Sequence, residues 1–365
     1  MQYVFILGHN PKLSAAEIMA VLPAAKKVLE TNAFLILENE EIDCLATMRR
    51  LGGTIKIGRI IGDRVKKEIL VQDLLENKPE NKLNFGISFY ESKPWKLGME
   101  VKAELKNAGV SCRLVVSKEK TLSSVVVAKN KVQEFMIFAN KYLAKTCAVQ
   151  EFEEYGFRDY GRPGRDLVSG MMPPKLAKIM INLSQVPVGA VLLDPFCGSG
   201  TIIQEALLLG FENIIGCDIS EKAISDTEEN LAWLAKNSEL EIKAKAQVFQ
   251  ADVRDLAVKI KSVDAIIAEP FLGPPLRGHE KLFEVKKTVE QLSELYVQAF
   301  GEFRKILSSG GRIVIIFPSF RIDNQVLELP ILSKIQQLGF TQVNRDKLIY
   351  SRDTQKVWRQ IYIFE

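Results

Sequence analysis

The stretch VLLDPFCGSGTIIQEAL, Val191 to Leu207, constrains the fold more than any other part of the chain. An apolar run, Val191–Leu193, delivers an acid, Asp194. Gly198 and Gly200 follow, where the backbone must turn tightly and approach a ligand closely. Thr201 then opens an apolar helical pattern. Strand, glycine turn and helix in that order form the first unit of a doubly wound sheet, which binds its ligand at the carboxyl ends of the strands. The runs IIGCDIS, AQVFQADV, VDAIIAEP and GRIVIIF repeat the strand signal further on. Short buried strands alternating with helices predict an α/β fold with a mostly parallel sheet.

The loop chemistry narrows the ligand. A phosphate cradle needs GxGxxG or GxxxxGK[ST], and neither is present. An acid just before the glycines disfavours a pyrophosphate and favours an ammonium or sulfonium, as in the methionine part of S-adenosylmethionine. Asp218, 24 residues after Asp194, ends the second strand, where a carboxylate can accept both ribose hydroxyls beside Ile219. Asp252 ends the third and can accept an adenine amino group, with Val253 supplying a backbone contact. Each Asp taken singly also fits a helix N-cap. Three acids at successive strand ends, the first in DPFCGSGT with Phe196 inside the turn, point to a cofactor site.

These residues resemble the class I S-adenosylmethionine-dependent methyltransferases, whose sheet is Rossmann-like. GRPGRDLVSGMMPPKLAKIMINLS followed by LLDPFCGSGTI resembles the THUMP-domain RNA methyltransferases, in particular the branch that makes N2-methylguanosine at position ten of tRNA. The resemblance implies that Met172, Pro173, Pro174 and Lys175 pack over the methionine end of the cofactor. By themselves they read as an amphipathic helix with a proline-rich start.

An exocyclic amine is a poor nucleophile, because its lone pair is delocalised into the base. Amine methyltransferases place (Asp/Asn/Ser)-Pro-Pro-(Tyr/Phe) at the end of the fourth strand. The side chain and a proline-fixed carbonyl accept the two N–H groups, and the aromatic residue stacks on the base. In VDAIIAEPFLGPPLRG those positions hold Glu269, Pro270, Phe271 and Leu272. Glu269 is one methylene longer and must fold back, and Phe271 takes over stacking if the loop turns by one residue. An alternative is a strand end in a domain that no longer methylates.

The N-terminal half has a different character. YVFILG and AFLILE read as strands, IDCLATMRRLGG as a helix, and TIKIGRII as a further strand, an α+β order of the ferredoxin-like kind. Ser14 with Glu17 reads as a capping box. The composition turns polar near Lys82, where a sub-boundary is placed. Beyond it, NFGISFY and VSCRLVV predict strands, GMEVKAELKNAG a helix, and TLSSVVVAKNKV a strand and turn. Residues 1–150 carry 23 Lys and Arg against 16 Asp and Glu, whereas the remainder carries 26 against 29. A basic half suits a polyanion, although solvated surface lysines give the same count.

Residues 83–150 resemble a THUMP domain. The resemblance implies a grip on the acceptor stem and 3′ end of tRNA. Lys93, Lys96, Lys102, Lys106, Arg113, Lys118, Lys120, Lys129 and Lys131 are the candidate phosphate contacts, and Trp95 is a candidate stacking residue. The expected organisation is therefore a ferredoxin-like unit at 1–82, a THUMP domain at 83–152, a linker at 153–170 and a methyltransferase domain at 171–365.

Exclusions follow from what is missing. No stretch reaches the length of a membrane span, and no signal peptide is recognisable, so a cytoplasmic protein is expected. The five cysteines are scattered without a CxxC pair, so reduced thiols and no metal site are expected. His9 and His279 join no Ser/His/Asp or Cys/His set, which argues against a hydrolase. The tail YSRDTQKVWRQIYIF resembles the final strand pair of the same RNA methyltransferase family, which implies that Arg352 and Arg359 meet phosphate. The functional expectation is methyl transfer to the 2-amino group of a tRNA guanosine. Alternatives are a non-catalytic RNA-binding protein on a cofactor-stabilised fold, or an amine methyltransferase acting on another RNA or on DNA. Some eukaryotic relatives require a small activating partner protein, on which the sequence is silent.

Overall fold

The computed structural model divides the chain into two units, Met1–Phe152 and Glu153–Glu365. It describes residues 1–165, 171–238, 244–276, 279–322, 325–344, 346–352 and 355–365. Parts of three sequence readings, at 166–170, 277–278 and 353–354, lie outside the described residues.

The first unit runs β1 (Gln2–Leu7), α1 (Pro11–Val21), β2 (Lys26–Glu30), β3 (Phe34–Glu38), α2 (Cys44–Arg50), β4 (Thr54–Gly62) and α3 (Lys67–Glu76). It continues with β5 (Leu83–Tyr90), α4 (Leu97–Asn107), β6 (Cys112–Val115), α5 (Ser124–Lys129), β7 (Gln133–Phe138) and β8 (Tyr142–Val149). The strands form one sheet in the order β2-β3-β1-β4-β8-β7-β5-β6. Side chains of successive strand residues point to opposite faces. Accordingly Tyr3, Phe5 and Leu7 join one core with Ile18 of α1, while Val4 and Ile6 join another with Met136 and Phe138.

Residues on both sides of Lys82 share this sheet, because β4 pairs with β8. A buried network reinforces that pairing. Lys56 of β4 donates to Glu134 of β7 at 2.6 Å and to the Leu122 carbonyl at 2.7 Å. Ser88 and Thr146 donate to the same carboxylate.

Three sequence expectations are corrected here. Helix α1 begins at Pro11, so Ser14 and Glu17 lie inside it rather than capping it. The Ser14 hydroxyl donates to the Gly53 carbonyl, and Glu17 accepts from the Gly52 and Gly53 amides. Serine 123 caps a helix, α5, where a strand was expected. Cys44 and Cys147, 103 residues apart, form a disulfide rather than reduced thiols. The fold brings α2 against β8, a proximity that sequence spacing does not reveal.

The second unit contains α6 (Phe152–Tyr160), α7 (Pro174–Ser184), β9 (Val191–Asp194), α8 (Thr201–Leu208), β10 (Asn213–Asp218), α9 (Glu221–Asn237) and β11 (Gln247–Gln250). There follow α10 (Leu256–Lys259), β12 (Val263–Ala268), α11 (Leu282–Ile306), β13 (Leu307–Ile322), β14 (Gln325–Leu327), α12 (Leu332–Gln337), β15 (Leu348–Tyr350) and β16 (Val357–Phe364). Its sheet has the order β11-β10-β9-β12-β13-β16-β15. The first five strands are parallel, and β16 runs antiparallel between β13 and β15. This is a mixed α/β, Rossmann-like fold. The order reverses between β9 and β12, which opens a crevice at their carboxyl ends.

The expected linker over 153–170 is instead partly built structure. It begins as α6, and its Arg158 is buried with Nε donating to buried Glu205 of α8 at 2.7 Å. Arg162 is 2% exposed and donates to the Thr201 hydroxyl at 2.5 Å. Gly164 exchanges hydrogen bonds with the Asn230 side chain at 2.8 and 2.9 Å. A polar, glycine-rich composition looked like a connector because its charges find buried partners only in the folded chain. Burial of the Arg162 guanidinium lowers its pKa, and its Nε finds no hydrogen-bond partner among the described residues.

Candidate active site

Strand β9 carries Asp194 to the crevice, and the glycine turn that follows wraps around it. Gly200 has φ +81, and a Cβ there would lie 2.8 Å from Thr227 Cγ2, so only glycine fits. Thr227 donates to the Gly198 carbonyl at 2.7 Å, and Asn230 donates to the Ser199 carbonyl at 2.8 Å. Helix α9 therefore holds the turn from behind. Cys197 lies buried beside it, its thiol pushed up by burial and by the Asp194 charge.

The three strand-end acids do different things. Asp194 is 1% exposed, and the Phe196 amide donates to it at 3.2 Å. Burial pushes this carboxyl well above the usual carboxylate range, and the charges of Asp218 and Glu269 push it the same way. Asp218 accepts from the Gly198 amide at 3.0 Å and the Ser220 amide at 2.9 Å. It does not cap α9, because Ser220 does. Asp252 does act as a cap, for the short turn at Val253–Asp255, and Arg254 Nε lies 2.9 Å from its carboxylate. The Arg254 hydrogen bond holds the Asp252 carboxyl below its ordinary range. Of the three residues, the sequence's alternative of a simple helix cap applies to Asp252 alone.

Of the other expected cofactor residues, Met172, Pro174 and Val253 are buried, Phe196 is half-buried and Ile219 is exposed. The Lys175 ammonium sits 5.1 Å from the Tyr155 ring centre. A buried carboxyl with two neighbouring negative charges fits a ligand bearing positive charge. S-adenosylmethionine, with its ammonium and sulfonium, meets that requirement. Asp194 would hold the methionine end and Asp218 the ribose.

At the end of β12 the corner Glu269-Pro270-Phe271-Leu272 comes within electrostatic reach of Asp194. Phe271 is 53% exposed while Leu272 is half-buried. The buried Tyr296 hydroxyl donates to the Phe271 carbonyl at 3.2 Å and pins the turn. Burial and the Glu269 charge both raise the Tyr296 pKa. Gly273 follows at φ +91 against Thr288. Arg359 is paired inside the site: its Nε donates to Glu269 Oε1 at 2.5 Å, with only 13% and 14% of the two side chains exposed. Sequence reasoning missed this pair, since 90 residues separate its members. Arg352 is exposed, as are His9 and His279.

In the first unit, Lys93, Lys96, Lys106, Arg113, Lys118, Lys120, Lys129 and Lys131 are exposed and Lys102 is half-buried. They lie on α4, edge strand β6, α5 and the adjoining loops. Trp95 is 43% exposed and packs its other side against Phe89 at 5.6 Å. Among the described residues no group of three or more His, Cys, Asp or Glu is placed to hold a metal, and no helix is long and apolar enough to cross a membrane.

The sequence pattern of the family described as RMKL-like, methyltransferase domain, matches residues 164–350, just over half of the chain. The chain belongs to that family, and its cofactor is S-adenosylmethionine. A second pattern, described as DNA methylase, matches residues 77–229. The tRNA (guanine(10)-N2)-dimethyltransferase of Methanothermobacter thermautotrophicus is 34% identical over 151 residues, covering 41% of this chain and 40% of that protein. The matched part thus spans well under half of that relative's length. The enzyme of the same name from Pyrococcus abyssi is 25% identical over 383 positions, covering 100% of this chain and 99% of that one. Among solved structures, TrmN from Thermus thermophilus matches with a TM-score of 0.54 at 16% identity over 100% of this chain and 99% of that one. This last likeness shows the fold.

Proposed function

We propose that the chain methylates the exocyclic 2-amino group of a guanosine in tRNA, at position ten, giving N2-methylguanosine. The observation that carries this reading is the Glu269-Pro270-Phe271 corner at the end of β12, beside the Asp194 loop at the end of β9. S-adenosylmethionine, when bound, supplies an electrophilic methyl group. The chain's own residues prepare the amine. The Glu269 carboxylate and the Pro270 carbonyl accept its two N–H groups, which turns the nitrogen lone pair out of conjugation and fixes its direction. Glu269 also stabilises positive charge developing on that nitrogen. Phe271 stacks on the base. The relatives named for guanine N2-methylation support the substrate.

The first unit, read as a ferredoxin-like part at 1–82 with a THUMP part at 83–152, is the RNA grip. Its exposed lysines on α4 and around β6 would contact phosphate without reading sequence. Trp95, already anchored on Phe89, would offer its exposed side to an unpaired base.

The test is tritiated-methyl transfer to unmodified tRNA transcripts, with nucleoside analysis of the product. N2-methylguanosine is expected, and E269A is expected to lose about 100-fold in kcat with cofactor affinity unchanged. Full activity in E269A would remove the mechanism. A second reading, amine methylation of DNA, draws support from the DNA methylase pattern over 77–229. Methylated adenine or cytosine in a duplex substrate, with none in tRNA, would favour it.

A further inference from the structure

Glu269 directly follows β12 and Arg359 lies on β16, and β13 separates those two strands in the order β12-β13-β16. Two strand spacings amount to about 10 Å, a gap that only two long side chains can close. Arg359 stands opposite Pro318 of β13 and Tyr350 of β15, and its guanidinium reaches past β13 to Glu269 Oε1. An aspartate at position 269 would fall a methylene short. The glutamate that departs from the expected Asp/Asn/Ser is thus the residue that this arginine requires.

We propose that Arg359 is the positioning residue of the amine-orienting corner. This rests on the methyl-transfer reading above and deepens it. An unrestrained Glu has one more rotor than Asp, and its carboxylate is correspondingly less fixed. Arg359 removes that freedom at Oε1. No partner is seen for Oε2 among the described residues, which leaves it, with the Pro270 carbonyl, to receive the amine. Among the described residues, Asp194 from β9 and Tyr296 from α11 are the ionisable groups that also feel the Glu269 charge. Asp194 repels the carboxylate, and Arg359 offsets that repulsion. Tyr296 fixes the backbone of the same turn through the Phe271 carbonyl. Side chain and main chain of the corner are therefore held from two different elements.

The test compares wild type, R359Q and R359K in the full chain. In methyl transfer to tRNA, R359Q is expected to lose about 100-fold in kcat, the cost of misplacing a reacting group by roughly an ångström. Its KM for tRNA and its calorimetric affinity for S-adenosylmethionine should stay unchanged. R359K, which keeps the charge without the guanidinium's fixed geometry, should recover part of the loss. A raised KM with unchanged kcat would mean that Arg359 contacts phosphate and would overturn the proposal. Carbon-13 NMR of labelled glutamate carboxyls gives a readout independent of turnover. In R359Q the Glu269 carboxyl resonance should move from its wild-type position and broaden as the side chain gains freedom, and R359K should restore it in part. An unchanged resonance overturns the clamp. If wild type methylates no RNA, the functional reading falls, while the NMR result still decides the clamp.

Discussion

Substituting alanine at Gly200 and at Gly198 separates two physical effects at the cofactor loop. Both glycines have positive φ, +81 and +52. Alanine in the left-handed region costs about 1 to 2 kcal/mol at either position. At Gly198 a Cβ meets nothing within 4 Å, so the cost stops there. At Gly200 the Cβ would lie 2.8 Å from Thr227 Cγ2 and 3.0 Å from its Oγ1. Overpacking of that kind costs about 1 to 3 kcal/mol. If Thr227 withdraws, its 2.7 Å hydrogen bond to the Gly198 carbonyl is weakened as well, a loss of about 1 kcal/mol. G200A should therefore lose about 3 to 6 kcal/mol and G198A about 1 to 2. At about 2 to 4 °C per kcal/mol for a domain of this size, the second unit's melting temperature should fall several degrees further in G200A. Calorimetric affinity for S-adenosylmethionine should fall in the same order. T227S removes Cγ2 and keeps the hydroxyl, so G200A/T227S should recover part of both losses. Equal melting temperatures for G200A and G198A, or no recovery with T227S, would refute the steric reasoning.

Asp194 gives a prediction with a pH signature. Burial raises its folded pKa above the unfolded value, so the stability linked to its proton is complete at acid pH and lost as pH rises through the folded pKa. D194N should thus melt above the ligand-free wild type at neutral pH, with the gap closing toward acid pH, and should bind S-adenosylmethionine about 10- to 100-fold more weakly. In the first unit, K56M leaves buried Glu134 without its cation and should cost about 3 to 5 kcal/mol by urea unfolding, most of which K56M/E134L should restore. Thiol titration of the chain unfolded without reductant should count three thiols, those of Cys112, Cys197 and Cys217, and five after reduction.

Local chemistry and hydrophobic period determined much of this protein from sequence alone. Val191–Leu193, Asp194, Gly198 and Gly200 are consecutive enough that strand, turn and helix follow from neighbouring residues. The acids at the ends of β9 and β10 were legible for the same reason, because a strand end fixes where its last side chain stands. Glu269 was legible as a departure from the amine-orienting pattern, although its consequence was not.

Tertiary structure decided what depends on distant partners. Arg359 reads as a surface cation until β16 inserts beside β13 and brings it to Glu269. Arg158, Arg162 and Gly164 read as a polar linker until Glu205, Thr201 and Asn230 receive them. Cys44 and Cys147 read as isolated thiols until the packing of α2 on β8 joins them. Propensity and period act over a few residues, whereas burying a charge or joining two sulfurs needs a partner that only chain folding supplies.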